Sequence, residues 1–450
     1  MKRNEVIEVK IEDHSFPATG IGVVDGKRVR IKGAFPGETV TARAHQVRGD
    51  RAKGRYMGIV ENAPYAVKPP CIHYGKCGGC ISQQVPLDLQ RKFKEEEVMK
   101  LFAQNSLSMG DYLGLTGDEN QYEYRNKMEY TFGDEVKGGE LNLGMHLKGM
   151  MNSVVNTTEC MLIHDDFRKI HEYTITYFRE KELPYYRVMK QEGYLRNFIL
   201  RRGINTKEIM VNLVTTTQID FNLDEFRDGL AALELDYTLV SILHTESDSL
   251  SDAVVPEKLN ILYGRDYIYE KIHGLTFKIS PFSFFQTNTK GAEVLYSEVK
   301  NLIGEKKNEI FDLYCGTGTI GQIVAEKADK VTGVEIIEEA VVAANENALI
   351  NELYHVNFIA GDVKDVIASL EGSPELIILD PPRSGVHPKA LEYVKDFNAK
   401  EILYVSCNPK TLVIDLKYLI EQGYSVMKSK IVDLFPNTPH VETVVLLERE

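Results

Sequence analysis

Apolar and polar positions follow different rhythms in successive parts of this 450-residue chain. Up to residue 62, short runs alternate apolar with polar. Gly20-Ile21-Gly22, Asp25-Gly26 and Pro36-Gly37-Glu38 cut them. Period two between turn signals predicts an all-β unit. Residues 63–70 hold three prolines and read as a linker. Between residues 84 and 106, Leu87, Leu89, Phe93, Val98 and Leu101 recur among charged neighbours and predict a helix. Residues 120–275 mix both rhythms in an α+β pattern. From about 276 the pattern becomes βαβ. Strands are expected at Glu309–Leu313, Val331–Glu335, Val356–Ala360, Leu376–Leu379 and Ile402–Val405, with helices such as Glu338–Leu349 and Lys410–Ile420 between them. That alternation implies a parallel sheet covered on both faces, with ligands beyond the carboxyl ends of its strands. The expected organisation is multidomain: an all-β unit at 1–62, an α+β unit at 63–275 and an α/β, Rossmann-like unit at 276–450.

Charge sharpens this picture. The net formal charge of −13 argues against a general polyanion binder, yet residues 1–60 carry twelve Lys/Arg against seven Asp/Glu. A basic face on an acidic chain suits one particular nucleic acid. Two further patches, Tyr124-Arg125-Asn126-Lys127-Met128-Glu129 and Leu195–Gly203, interleave basic and apolar residues. They are read as RNA-facing strands, with Arg125 and Lys127 as phosphate contacts. The charged N-terminus has no apolar signal region, and no apolar run reaches membrane-spanning length. A cytoplasmic protein is expected, without membrane or protein partner and monomeric by default. Its six cysteines should then be reduced or bound to something.

Three of them cluster as Cys71-x5-Cys77-Gly-Gly-Cys80, and Cys160 is the available fourth. Thiolates so spaced bind a metal; spacing alone leaves zinc and an iron–sulfur cluster both open.

The remaining motifs fall at strand ends. Asp312-Leu313-Tyr314-Cys315-Gly316-Thr317-Gly318 is a glycine turn, but neither a P-loop nor a full dinucleotide fingerprint. Glu335 ends the next strand and Asp362 follows the one after. With the glycine turn they form an adenosine-binding set that fits S-adenosylmethionine better than NAD. Asp380-Pro381-Pro382-Arg383 holds a carboxylate at a strand tip. Arg383, where adenine methyltransferases place an aromatic, speaks against amino-group methylation. Val405-Ser406-Cys407-Asn408-Pro409 puts a thiol at the end of the fifth strand, and the N-terminus of the following helix is expected to stabilise its thiolate. Glu442 starts the last strand and is placed to act as a base. Cysteine, base, a carboxylate for the uracil edge and a methyl donor are what methylation of uracil C5 requires. The thiolate adds at C6, C5 becomes nucleophilic and takes the methyl, and a base removes the C5 proton so that the thiolate can leave. The target base must be flipped out of its stack.

Ser406-Cys407-Asn408-Pro409, Asp380-Pro381-Pro382-Arg383, His440-Val441-Glu442-Thr443, Phe284-Phe285-Gln286-Thr287-Asn288 and the Tyr314–Gly318 loop together resemble the RNA uracil-5-methyltransferase family, over essentially the whole chain. The resemblance implies Cys407 as nucleophile and Glu442 as base. It implies Gln286, Tyr314, Thr319, Glu335, Asp362 and Asp380 around cofactor and uracil, and Phe284 stacking near the flipped base. Residues 1–62 look like a TRAM domain, an OB-like RNA-binding barrel. Cys71, Cys77, Cys80 and Cys160 match a 4Fe–4S site of the family's ribosomal branch, which moves the metal choice from zinc to iron–sulfur. Both accessory elements look most like the bacterial enzymes acting on 23S ribosomal RNA, including a Gram-positive version that methylates two uridines. Transfer RNA is the second choice. A non-catalytic ribosome-assembly factor and a cytosine-5-methyltransferase are the rivals. The first needs neither Cys407 nor Glu442, and the second has a Pro-Cys turn that is absent here.

Overall fold

The computed structural model describes residues 1–251, 253–366, 370 and 372–449. Among these, three large sheets and one short hairpin carry the architecture. The first sheet has six strands between Val6 and Glu61. Val9, Val29, Ile31, Val40, Ala42 and Ala44 point inward, while Arg28, Arg30, Arg51, Lys53 and Arg55 stay on the surface. The strand Val6–Lys10 crosses the strand Thr19–Val24 so closely that a Cβ on Gly22 would lie 2.1 Å from the Lys10 carbonyl oxygen. Only glycine permits that approach, which curls the sheet into a barrel.

The helix Leu87–Gln104 joins this barrel to the rest. On one side Lys100 donates to Asp13 (2.6 Å) and Glu97 accepts from the Ala18 amide (3.2 Å). On the other, Lys94 pairs with the buried Asp433 (2.6 Å), and Val98 and Phe102 enter the core around the C-terminal sheet.

The second sheet has seven strands, in the order 150–156, 142–147, 127–133, 195–203, 208–215, 238–246, 258–264. Only 208–215 and 238–246 run parallel, connected through the helix Asp224–Ala231. That helix and Asp165–Glu180 cover one face, where Phe167, Phe178, Phe198 and Phe226 form the core. The patch Leu195–Gly203 lies mid-sheet and is buried throughout. Its arginines are 3–4% exposed and spend their guanidiniums on backbone carbonyls: Arg196 on Ser247, Ser249 and Ser251, Arg201 on Pro281 and Ser283, Arg202 on Glu123 and Arg125. The expected RNA-facing role of this strand is thereby corrected. Composition shows that a strand carries arginines, but it cannot show that folded loops will offer them carbonyls.

The third sheet has eight strands. Its parallel part runs Val356–Ala360, Ala328–Glu335, Lys307–Leu313, Leu376–Leu379, Glu401–Ser406. Glu442–Arg449 then pairs antiparallel with Glu401–Ser406, and Tyr424–Asp433 follows. The edge strand is Asp111–Gly117, from far upstream in the chain, parallel to Tyr424–Asp433. All five expected strands and both named helices occur here, one to three residues longer at some ends. No helix of the described residues is long and apolar enough to cross a membrane.

Candidate active site and the cysteine cavity

The five parallel strands all end at one edge of the third sheet, and the antiparallel strand Glu442–Arg449 begins there. Register then brings chemistry together. Ser406 pairs with Thr443, so Cys407 and Glu442 lie one step further along neighbouring strands. Asp380 follows Leu379 on the other side of the Cys407 strand, where Leu379 pairs with Tyr404. Cys407, Glu442 and Asp380 line one cavity of about 1400 Å³, together with Gln286, Tyr314, Thr319, Glu335, Asp362 and Phe284.

Local structure explains each position. The glycine turn takes left-handed backbone at Tyr314, Gly316 and Gly318 (φ 66°, 55° and 71°). A Cβ on Gly318 would meet the Phe358 ring at 2.4 Å. The turn is tied to the neighbouring strand: Tyr314 N–H donates to the Val334 carbonyl (2.9 Å) and Gly316 N–H to Glu335 Oε2 (3.0 Å). Ile337 N–H donates to Glu335 Oε1 (3.1 Å), so the carboxylate is fixed while each oxygen keeps a lone pair for a hydroxyl. Asn408 caps the helix Pro409–Glu421 and donates from Nδ2 to the Arg383 carbonyl (2.8 Å), locking the Cys407 turn to the Asp380–Arg383 turn. Phe284 is 69% exposed at the cavity, whereas Phe285 is buried against Phe277.

The electrostatics are acidic. Burial pushes the Asp380 carboxyl up to about 7. Burial, with Asp380 adding to it, pushes Glu442 up to about 8, against a smaller pull from Arg383. Asp312, buried behind the glycine turn, rises to about 8 for the same two reasons, and the Gly321 amide that donates to it opposes the rise. A cluster of desolvated carboxyls suits a cationic sulfonium ligand, and Glu335 with Asp362 suits its ribose and base. These residues therefore fit S-adenosylmethionine. The expectation for the thiol needs correction. Burial, then Glu442 and Asp380, push Cys407 up to about 11, and Arg383 offsets only part of this. The adjacent helix start is outweighed.

Sequence reasoning gave three neighbours no part in the site's electrostatics or support. Arg383 approaches the His440 ring to 3.2 Å, and its charge pulls down both thiol and base. His440 is held neutral, down to about 4, by burial and by Arg383. Both flank motif residues already singled out, and adjacency was the available signal. Thr317 donates to the Phe284 carbonyl (3.2 Å) and sits 3.4 Å from the Thr319 hydroxyl, linking glycine turn and aromatic loop. Nothing in its residue type announces this.

A second cavity, of about 300 Å³, is lined by Cys71, Cys77, Cys80 and Cys160. The loop carrying the first three is held by its own backbone: Cys77 N–H donates to the His73 carbonyl (2.8 Å), Gly78 N–H to the His146 carbonyl (3.0 Å) and Gly79 N–H to Cys77 Sγ (3.3 Å). Burial raises Cys80 and Cys160 to about 12 and about 11, and the neighbouring thiols add to it. Among the described residues, three potential ligand atoms within 4.8 Å of one another belong to His164, Asp166 and Asp236. There Asp166 is already occupied by the Asp236 and Tyr237 amides, and His164 caps a helix. Arg125 and Lys127 line the cysteine cavity, not the large one, and Thr287 lines both.

Comparison with known proteins agrees with this geometry. A family profile described as tRNA (Uracil-5-)-methyltransferase matches residues 186–450, and a TRAM-domain profile matches residues 1–56. An "Uncharacterized RNA methyltransferase" of Clostridium tetani is 54% identical, covering 100% of this chain and 99% of that protein. A protein of the same description from Caldanaerobacter subterraneus subsp. tengcongensis is 44% identical, covering 100% of both. Among solved structures, the Pyrococcus abyssi tRNA (uracil-54, C5)-methyltransferase in complex with S-adenosyl-L-homocysteine superposes with a TM-score of 0.76 at 26% identity, over 98% of this chain and 100% of that one. The fold and site are those of an S-adenosylmethionine-dependent RNA methyltransferase with an N-terminal TRAM domain. The chain belongs to the RNA uracil-5-methyltransferase family.

Proposed function

We propose that this protein methylates C5 of an unpaired uridine in 23S ribosomal RNA, with Cys407 as nucleophile, Glu442 as base and Asp380 on the uracil edge. The observation that carries it is the meeting of these three side chains, from three neighbouring strands, in one cavity with Gln286, Tyr314, Thr319, Glu335 and Asp362. S-adenosylmethionine supplies an electrophilic methyl group; Gln286, Tyr314, Thr319, Glu335 and Asp362 hold it. Phe284 stacks on the flipped base. Asp380, near neutrality, offers the uracil both an acceptor for N3–H and, when protonated, a donor to O4, where charge develops as the Cys407 sulfur adds at C6. Once C5 carries the methyl group, Glu442, with a carboxyl that ionises at about 8, takes the C5 proton, and the electron pair left behind re-forms the C5–C6 double bond as the C6–S bond breaks and Cys407 leaves as thiolate.

The choice of ribosomal RNA is supported by the two accessory elements, the TRAM domain and the four-cysteine site. On this reading residues 1–62 grip RNA, 63–275 carry the metal site and 276–450 catalyse, in the cytoplasm. The four cysteines hold a 4Fe–4S cluster. A polynuclear centre in this cavity would carry net negative charge, which Arg125 and Lys127 on its wall would balance. Transfer RNA is the second reading, favoured by the substrate of the Pyrococcus abyssi structure. Tritium release from RNA labelled at uridine C5 tests the proposal, with 23S and transfer-RNA transcripts, with and without S-adenosylmethionine. Release from neither RNA, in protein that binds the cofactor, rejects the enzymatic reading. Release from transfer RNA alone rejects the substrate.

A further inference from the structure

The loop from Pro281 to Asn288 carries both Phe284 and Gln286, so it serves substrate and cofactor at once. It belongs to neither flanking element: the preceding strand ends at Ile279 and the following helix begins at Thr289. A segment with so little regular structure needs anchors to hold Phe284 and Gln286 in place. The structure supplies them from the seven-stranded sheet, at two separate points.

At the Phe284 end, Arg201 reaches across. It is 3% exposed, and its guanidinium donates to the Pro281 carbonyl from Nε (3.0 Å) and to the Ser283 carbonyl from a terminal nitrogen. At the Gln286 end, Asn126 is 5% exposed. Its Nδ2 donates to the Gln286 carbonyl and to Thr289 Oγ1 (both 2.9 Å), and its backbone N–H donates to the Thr287 carbonyl (3.0 Å). No bond joins Arg201 to the Gln286 half, nor the Asn126 side chain to the Phe284 half, among the hydrogen bonds of the described residues. Both side chains come from stretches whose composition suggested RNA contact, yet neither is exposed enough to reach it.

We infer that Asn126 and Arg201 are positioning residues that fasten opposite halves of this loop: Asn126 sets Gln286 for the cofactor, and Arg201 sets Phe284 for the flipped base. The inference rests on the roles given to Gln286 and Phe284 under the proposed function. Loss of either anchor leaves buried carbonyls unsatisfied, which frees the local backbone without touching the cavity's chemistry. Thr317 still holds the Phe284 carbonyl and Asn288 the Leu434 carbonyl, so loss of one anchor loosens the half nearest it more than the other.

The test is a split between two constants. Calorimetric titration gives the Kd for S-adenosyl-L-homocysteine, and tritium release gives KM and kcat for the RNA, for wild type, Asn126→Ala and Arg201→Met. Thermal melts check the fold. Asn126→Ala is expected to weaken S-adenosyl-L-homocysteine at least about fivefold while KM for RNA stays within about twofold; Arg201→Met does the reverse. Arg201→Lys, which retains one donor, should restore part of the RNA constant. If an alanine or methionine variant fails to fold, Asn126→Ser and Arg201→Lys are read in its place. Equal losses in both constants from either variant, or no loss in either, overturn the inference. A wild-type protein that binds no S-adenosyl-L-homocysteine and releases no tritium overturns the proposed function beneath it, so the two failures are distinguishable.

Discussion

Two cavities in this molecule are built around cysteine, and they use it in opposite ways. Cys407 stands at the tip of a buried parallel strand, among carboxyls and one cation, in a cavity of about 1400 Å³ open to a base. Cys71, Cys77, Cys80 and Cys160 face one another from loops around about 300 Å³, with Arg125 and Lys127 on the wall. Burial raises the thiol in both places. What differs is what can lower it. At Cys407 that is the Arg383 cation, which offsets part of the rise; at the four-cysteine site it would be a metal, which displaces the protons outright. Residue type therefore says little about a cysteine's role. Its partners and its place on the fold decide.

Removing the Cys407 thiol breaks this comparison most severely. Cys407→Ala should lose C5 tritium release by at least about three orders of magnitude, because the other thiol on the cavity wall, Cys315 of the glycine turn, is held protonated by burial and by Asp312 and Glu335. Bound iron should be unchanged, as measured by ferrozine assay on the same sample. Glu442→Gln comes next. Without a base the adduct forms but is not resolved, so methylation should fall by about 10²–10⁴. A protein–RNA band that survives denaturing electrophoresis should accumulate, and its absence would take the base role away from Glu442. Third is the other cavity. Cys80→Ala should lose most of its iron and melt about 2–4 °C lower for each kcal/mol of stability lost. The segment next to Cys160 is bonded to the stretch leading into Asn126 (Glu123 N–H to Met161, Arg125 N–H to Leu162), so S-adenosyl-L-homocysteine should also bind more weakly after chelation. Full iron loss without change in that affinity would make the two cavities independent.

The two regions were not equally legible in the sequence. The strand-end site was nearly all readable, because a βαβ rhythm forces strand ends to one edge and each motif announces its strand end. The pairing of Cys407 with Glu442 needed register, in particular Ser406 opposite Thr443, which no sequence periodicity encodes. The cysteine spacing was readable, but its surroundings were not. Composition read Arg125 and Lys127 as phosphate contacts; that they also line the cysteine cavity follows from backbone bonds of Arg125 to Leu162 and of Asn126 to Thr287, which no composition shows. The patch holding Arg201 and Arg202 misled composition, since a buried guanidinium satisfied by carbonyls needs partners about 80 residues away that only folding supplies. The strand Asp111–Gly117 was invisible as part of the C-terminal sheet because its partner lies more than 300 residues downstream.

The finest distinction between the cavities is in how Cys407 titrates. Alkylation by iodoacetamide follows thiolate, so with a thiol near 11 the Cys407 rate should rise about tenfold per pH unit between 7 and 10. Glu442 ionises at about 8, and above that pH its charge holds the thiol up. Glu442→Gln removes the charge, so the thiol's pKa should fall and alkylation at pH 9 should quicken. Arg383 acts the other way, and Arg383→Gln should move the profile alkaline. That shift should be the smaller, since Arg383 is exposed and its charge is screened, and added salt should shrink it further. Site-resolved mass spectrometry reads all three, with Cys71, Cys77, Cys80 and Cys160 as internal controls that metal should shield at every pH. If the three profiles coincide, the carboxyls and the cation do not tune Cys407. Burial alone would then govern it, and its environment would differ from the other cavity's only in lacking a metal.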